Sequence, residues 1–344
     1  MSEVKVSGEK RMAISIAILA VLLIAWVGFH QISQLMGPVD AGNEERIEVT
    51  IPAQCTTSQV ARILYEHNLI QNEKFFVGYC RVKGLDQNLK AGVYSFNRAQ
   101  SLSELVEGLV QGKVVTVGFT VPEGYTLSQI GELLVKENIC TAGEWQQALI
   151  QDYDYEFLKK APGTENHLEG FLFPATYRVA RDVTAQQVVD MMLKRFEQEW
   201  KGGLAAAARE QGKDVYEVVT LASLIEKEAR VDEERPVIAG VLVNRLKKGM
   251  PLQVDATVLY SLGEHKPVVT YRDLEVDSPY NTYRYPGLPL GPIASPGSAS
   301  LAAALQPAQH SYYYYVYMGD GRHYFSKTHD EHVQAKQKYL KNRS

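Results

Sequence analysis

The sequence predicts an α+β chain. It opens with an N-terminal transmembrane helix, continues with two repeated strand–helix–helix–strand units, and ends in a mixed α/β module. Three features predict this. Residues 12–29, MAISIAILAVLLIAWVGF, form an uncharged run. Residues 49–68 align with residues 119–138. After residue 185 long helical patterns take over, followed from about 264 by an irregular stretch rich in Pro, Gly and Tyr.

Composition excludes several classes. The 344 residues suit two or three domains, at roughly 150 residues each. Hydrophobic residues make up 45% and charged residues 22%, which excludes wholesale disorder. With 36 Lys+Arg against 40 Asp+Glu the net charge is −4, a poor basis for gripping the phosphates of a nucleic acid. Three cysteines (Cys55, Cys80, Cys140) neither make a disulfide framework nor show the close spacing of a zinc site. The histidines have no metal-ligand spacing, His323 and His329 included, and no loop suits a phosphate, so neither metal nor cofactor is expected.

The apolar run at 12–30 reads as a single span. Eighteen residues of helix reach about 27 Å, against a bilayer core of about 30 Å. The tail at 1–11 holds Lys5, Lys10 and Arg11 against Glu3 and Glu9, so it is expected in the cytoplasm and the rest outside the plasma (inner) membrane. A cleaved signal peptide competes, with Val39-Asp40-Ala41 as a loose cleavage site. That site lies too far past the run, and the run exceeds the usual 7–15-residue signal core. A retained anchor is the better reading.

The repeat has an offset of 70 residues, with identities at Thr50/Thr120, Pro52/Pro122, Thr56/Thr126, Ser58/Ser128, Gln59/Gln129, Leu64/Leu134 and Asn68/Asn138. Each copy reads as a short strand stopped by proline, then a helix capped by threonine. A second helix follows, near 72–82 and 142–150. Extended pieces at 91–96 and 170–179 close the copies. Units are therefore expected at 46–115 and 116–182, and a further module at 183–344. The element order resembles the LysM type, which binds peptidoglycan glycan chains; a small spacer without a ligand accounts for it equally well. Beyond it, helices are expected at 184–200, 203–211, 214–231, 234–248 and 329–341.

The helix over 214–230, DVYEVVTLASLIEKEAR, is the candidate for chemistry. Asp214 and Glu217 suit a capping box. Val218, Ala222, Ile225 and Ala229 form one apolar stripe, with Glu226 and Glu228 on its opposite borders. Residues two apart on a helix diverge, so these two acids cannot line one groove. A two-carboxylate site needs a second acid from elsewhere, and Asp255 and Asp277 are available.

The run ASLIEKEARVDEERPVIAGVLVNRLKKGMPLQVDATVLY at 222–260 and YNTYRYPGLPLGPIASPG at 280–297, with VPEGYT and LEGFLFPATY, closely resemble the MltG (YceG-like) family of endolytic murein transglycosylases. The resemblance extends from the membrane segment onward. It implies a LysM-like region and a catalytic domain of the lytic-transglycosylase type. It also implies one catalytic glutamate in the E-K-E motif. Glu228 is assigned, because the wider class has a small residue after the acid and Ala229 follows here; Glu226 is the fallback. Ala256 departs from the family's usual proline. The implied substrate is the glycan strand of peptidoglycan, cut between MurNAc and GlcNAc with formation of 1,6-anhydroMurNAc ends. Termination of nascent strands and contact with peptidoglycan synthases are further implications. A hydrolase of the same polymer and a non-catalytic glycan-binding scaffold are the alternatives.

A lytic reaction needs one carboxyl group, held protonated by apolar surroundings; Leu221 and Leu224 are placed to supply them. Eleven of the 20 tyrosines fall between 260 and 324, and aromatic faces suit sugar rings. Tyr280, Asn281, Thr282 and Tyr283, in a proline-stiffened loop, are expected to touch substrate. Gln253, Asp255 and Thr257 alternate along an extended piece, facing the same groove or ordering the loop. Asn244 and Arg245 read as structural, and YYYYVY as a strand with alternate rings buried.

Overall fold

The apolar run folds as α1 (Gly8–Met36), in a computed structural model that describes residues 8–159, 166–264, 266 and 268–340. Within α1, the candidate span Ser15–Met36 contains an 18-residue stretch with a mean hydropathy of 2.1, none of it buried in the protein. Twenty-two residues of helix reach about 33 Å, long enough to cross a bilayer. Glu3 and Lys5 of the expected tail lie outside the described residues, as does the last expected helical residue, 341.

The chain divides into two units, residues 1–117 with 180–182, and residues 118–179 with 183–344. In the first, β1 (Ile47–Ile51) is stopped by Pro52, and Thr56 caps α2 (Thr57–Glu66) through the Gln59 N–H, with Gln59 returning the bond. Asn72 caps α3 (Glu73–Val82), and β2 (Gly92–Phe96) pairs antiparallel with β1, Val49 facing Tyr94. An unexpected helix, α4 (Leu102–Gln111), follows behind a Ser101–Glu104 capping box. Val49, Leu64, Phe76, Tyr94, Leu105 and Leu109 close a core within this unit.

The second copy repeats the pattern. β3 (Thr116–Thr120) leads through Pro122 to α5 (Leu127–Lys136), capped by Thr126 with Gln129, and α6 (Ala142–Leu149) follows. The closing extended piece is shorter than expected. Leu168–Leu172 turn through Gly170, at a φ of 83° where a Cβ would strike Pro292 and Val219, and only β4 (Thr176–Ala180) pairs with β3.

Helical segments then dominate. α7 (Ala185–Glu199) passes through a π turn at Trp200–Leu204 into α8 (Ala205–Glu210). α9 (Val215–Glu228) is the helix expected to carry chemistry. Asp214 caps it through the Tyr216 N–H, one position short of the expected box with Glu217. The expected single stripe is a correction: every residue from Val218 to Ile225 is buried, so neighbours surround α9 on all sides. α10 (Arg235–Lys247) follows a short 3-10 turn at Asp232–Glu234.

α11 (Asp255–Leu262) corrects a second expectation. Leu252 and Val254 are buried and Gln253 and Asp255 exposed, so the alternation is real up to 255. There the chain turns helical, because the Thr257 hydroxyl donates to Val254 O (2.7 Å) and the Thr257 N–H to the same oxygen (3.0 Å). α12 (Ser298–Leu305), another unexpected helix, packs on α9. β5 (Tyr314–Tyr317) and β6 (His323–Ser326) form a hairpin covered by α13 (His329–Leu340). The strand expected in YYYYVY is present, but Val316 is its buried residue and the tyrosines are half-buried. One core runs from Phe119, Leu134 and Trp145 of the second copy through Phe171, Phe196, Leu224 and Ile238 to Leu301.

Candidate active site

The last turn of α9 sends the three residues of E-K-E in different directions, as 100° per residue requires. Glu226 enters a latch. Its side chain is 7% exposed; one oxygen meets the Arg235 guanidinium at 3.2 Å, and the other accepts the Gly297 N–H at 3.0 Å. Arg235 also reaches Glu123 (3.6 Å) and Asp232 (3.3 Å). The Glu123 carboxylate lies directly against Gly297, where a Cβ would displace it. Lys227 donates to Gly124 O (3.2 Å), and Gly124 N donates to Ser295 O (2.8 Å). Parts of VPEGYT, E-K-E, E-R-P and S-P-G thus meet at one joint.

Glu228 faces the hairpin. The Tyr315 hydroxyl donates to its Oε2 at 2.9 Å. Burial pushes the Glu228 carboxyl up to about 7, and the nearby Asp255 carboxylate adds to the rise; the Tyr315 bond and the Arg230 and Arg245 charges oppose it. Leu224 and Leu221, one and two turns back, are buried. Asp255 accepts the Tyr283 hydroxyl (2.5 Å), and burial with that contact raises the Tyr283 phenol. The Arg230 guanidinium lies 4.3 Å over the Tyr317 ring. Arg245 lies 5.1 Å over the Tyr314 ring and donates to Tyr313 O, Pro251 O and Leu252 O; Asn244 donates to His310 O and Tyr312 O. These two fasten the base of the hairpin, as their structural reading expects.

The proposed contact residues separate into two groups. Thr257 and Thr282 are buried, their hydroxyls 3.0 Å apart, and Val254 N donates to Thr282 Oγ1. Asn281 is buried, donates to Leu274 O and Val276 O, and accepts the Tyr283 N–H. These three order the loop. Gln253 is exposed at a φ of 53°, Asp255 is exposed, and Tyr280 and Tyr283 are half-buried, so these four present polar groups at the surface. Asp277 sits well out in solvent, accepting from Tyr285 (2.6 Å). Among the described residues no cluster of His, Cys, Asp or Glu suits a metal ion.

Sequence reasoning missed a second buried carboxyl, Glu169 of LEGFLFP. It is 2% exposed and accepts from the Leu127 N–H (3.3 Å) and the Tyr260 hydroxyl (3.2 Å); burial pushes it up to about 7. Asn166 donates to the same Tyr260 hydroxyl, and the Tyr260 and Tyr280 rings lie 4.9 Å apart. Tyr315, Arg230, Arg235 and Glu123 were also missed. Each belongs to a motif already noted, but only the fold brings them to the E-K-E turn.

Comparison with known proteins gives the family. Residues 49–338 match the family model described as the YceG-like family. A Bacillus subtilis (strain 168) protein named endolytic murein transglycosylase is 36% identical over 329 residues, covering 90% of this chain and 89% of its own length. A Streptococcus pneumoniae (serotype 2, strain D39) protein of the same name is 29% identical over 359 residues, which cover 95% of this chain and 64% of that one. The crystal structure of a yceG-like protein from Listeria monocytogenes matches with a TM-score of 0.57 at 38% identity, over 84% of this chain and 99% of the other.

Proposed function

The chain belongs to the YceG-like family, and on that premise we propose that it is an endolytic peptidoglycan lytic transglycosylase with Glu228 as its single acid and base. One observation carries the assignment within E-K-E. Burial pushes the Glu228 carboxyl up to about 7 beside a surface of exposed and half-buried polar groups, whereas Glu226 is tied to Arg235 and to Gly297 N.

The chemistry follows from those positions. Protonated Glu228 gives its proton to the glycosidic oxygen between MurNAc and GlcNAc, and the C1–O bond breaks. The resulting carboxylate takes the proton from the C6 hydroxyl of the same MurNAc, whose oxygen closes on C1 as a 1,6-anhydro ring. Tyr315 donates to the carboxylate as it forms, and Arg230 and Arg245 stabilise its charge. The Asp255 charge favours the protonated starting state. Substrate supplies the nucleophile, so no second carboxylate is required. Gln253, Asp255, Tyr280 and Tyr283 are assigned to the sugar groove, with Thr257, Asn281 and Thr282 holding its wall.

In this reading α1 is a retained single-pass anchor in the inner membrane, with both units outside the cytoplasm. It keeps cutting close to the membrane, where nascent strands and their synthases are. The repeat copies are LysM-like elements that engage glycan. Digestion of purified glycan strands followed by mass spectrometry tests the reaction: anhydro ends, one water lighter than hydrolytic ends, are expected. Reducing MurNAc ends alone would instead make the protein a hydrolase, and no cleavage with retained binding would make it a scaffold.

A further inference from the structure

A two-stranded hairpin of four-residue strands is marginal by itself, yet β5 must hold the Tyr315 hydroxyl within bonding distance of Glu228. Besides the Asn244 and Arg245 contacts of α10, the stretch from Glu228 to Glu234 meets this hairpin at three points. Glu228 meets Tyr315, Arg230 lies on Tyr317, and Glu234 meets His323. The third contact is the most enclosed. Glu234 Oε1 accepts the His323 backbone N–H at 2.9 Å, and Oε2 lies 2.7 Å from His323 Nδ1; the two side chains are 9% and 6% exposed. His323 is also the β6 partner of Tyr317. Its ring stands edge-on to Tyr315, with centroids 5.5 Å apart, and lies 5.6 Å from Tyr317.

We infer that Glu234 and His323 are positioning residues for the proposed acid: their bidentate clamp fixes the hairpin so that Tyr315 and, through Tyr317, Arg230 stay on Glu228. Neither residue is assigned a contact with substrate. Both gripped groups act on Glu228 in one direction, favouring its carboxylate. Of the remaining charges on Glu228, Asp255 is held by Tyr283, and Arg245 by the carbonyls of Pro251 and Leu252 as well as by Tyr313 O and the Tyr314 ring at the base of the hairpin. Releasing the clamp therefore frees Tyr315 and Arg230 first, while Asp255 keeps Tyr283 and Arg245 keeps the Pro251 and Leu252 carbonyls. Glu234 also adjoins Arg235, so one short turn ties the hairpin on one side and the Glu226 latch on the other.

The inference rests on Glu228 being the acid, which the products of the parent enzyme and of Glu228→Gln check separately. Its own test is a double-mutant cycle on the full chain with purified glycan strands. Tyr315→Phe, Glu234→Ala and His323→Phe are each expected to lower kcat by about tenfold, ~1.4 kcal/mol, with KM within about twofold of the parent. Each is expected to move the basic limb of the kcat/KM profile to higher pH, because Glu228 loses its donor. Glu234→Ala is expected to slow Tyr315→Phe by much less than it slows the parent, because only the Arg230 part of the clamp is left to lose. Glu234→Gln, which keeps an acceptor for the His323 N–H, is expected to fold and show a smaller shift in the same direction. Additive losses in the double variant would overturn the inference. So would a lower Tm with an unmoved limb in Glu234→Gln.

Discussion

The two repeat copies share a backbone and differ in chemistry. Gln54 and Gly124 occupy matched positions and both have positive φ, 62° and 76°. The same holds for Asn68 and Asn138 after the helix, at 53° and 55°. Thr56 with Gln59 and Thr126 with Gln129 make matched capping boxes. Where the second copy has Glu123 and Tyr125, the first has Ala53 and Cys55. The first copy closes a core within its own unit, while the second shares one with the helices around α9. A repeated frame has thus been kept in both copies, and the loop at its strand end is recruited to the candidate site in one of them. In the second copy that loop carries Glu123 and Gly124, which meet Arg235 and Lys227. Damage should therefore grow from the first copy through the second toward Glu228.

The largest effect lies at the end of that gradient. Glu228→Gln is expected to cut release of anhydro products by about 10³-fold while strands still bind. In the parent, activity needs protonated Glu228, so it should fall as pH rises through about 7. Glu226→Gln should behave differently. It leaves the Arg235 charge without its closest partner, costing about 3 kcal/mol or more of stability, and should appear as a lower Tm with Glu228 chemistry retained at low temperature. A Glu226→Gln enzyme that is folded at full Tm but inactive, beside an active Glu228→Gln, would reverse the two roles.

The sequence makes some parts of this arrangement legible and hides others. Divergence of Glu226 and Glu228 follows from helix geometry alone, and the threonine caps and proline-stopped strands follow from local chemistry. α11 is hidden because Leu252, Gln253 and Val254 alternate like a strand, and the helix starts only where Thr257 turns back to Val254 O. Tyr315 is hidden because YYYYVY carries no mark of which ring meets a carboxylate 87 positions away. α4 does carry a local mark in its Ser101–Glu104 box, whereas α12 is eight residues long and has no side-chain cap. Glu169 is a buried carboxyl in a run that otherwise reads as core, and its partners Leu127 and Tyr260 are 42 and 91 residues distant.

Glu169 gives an intermediate effect that belongs to the second copy. It receives the first N–H of α5, at Leu127, whereas the matched Thr57 of the first copy donates its hydroxyl to Asp86 O. Its folded-state carboxyl is raised to about 7 from 4.5, so the folded protein holds this proton more tightly than the unfolded chain. That contribution is fully present below about 4.5 and is lost as pH rises through about 7. Glu169→Gln removes the dependence. Denaturant titrations from pH 5 to 8 should show the variant gaining on the parent by about 3 kcal/mol, at roughly 1.4 kcal/mol per unit. A difference that stays constant with pH would remove Glu169 from this role.

The smallest effects compare the copies directly, by exchanging their residues. Glu123→Ala gives the second copy the residue of the first. Glu123 is half-exposed and 3.6 Å from Arg235, so its loss should cost about 1 kcal/mol or less. Arg235 keeps Glu226 and Asp232, and activity should fall only a few fold. The reverse exchange, Ala53→Glu, places a carboxylate on an exposed loop position in the first unit, where a surface substitution shifts stability by no more than about 0.5 kcal/mol. Its cleavage rate and Tm should match the parent. Equal losses from the two exchanges would show that both loops support the chemistry. A loss confined to Glu123→Ala places the support in the second copy, where Glu123, Gly124 and Tyr125 meet Arg235, Lys227 and Ser295.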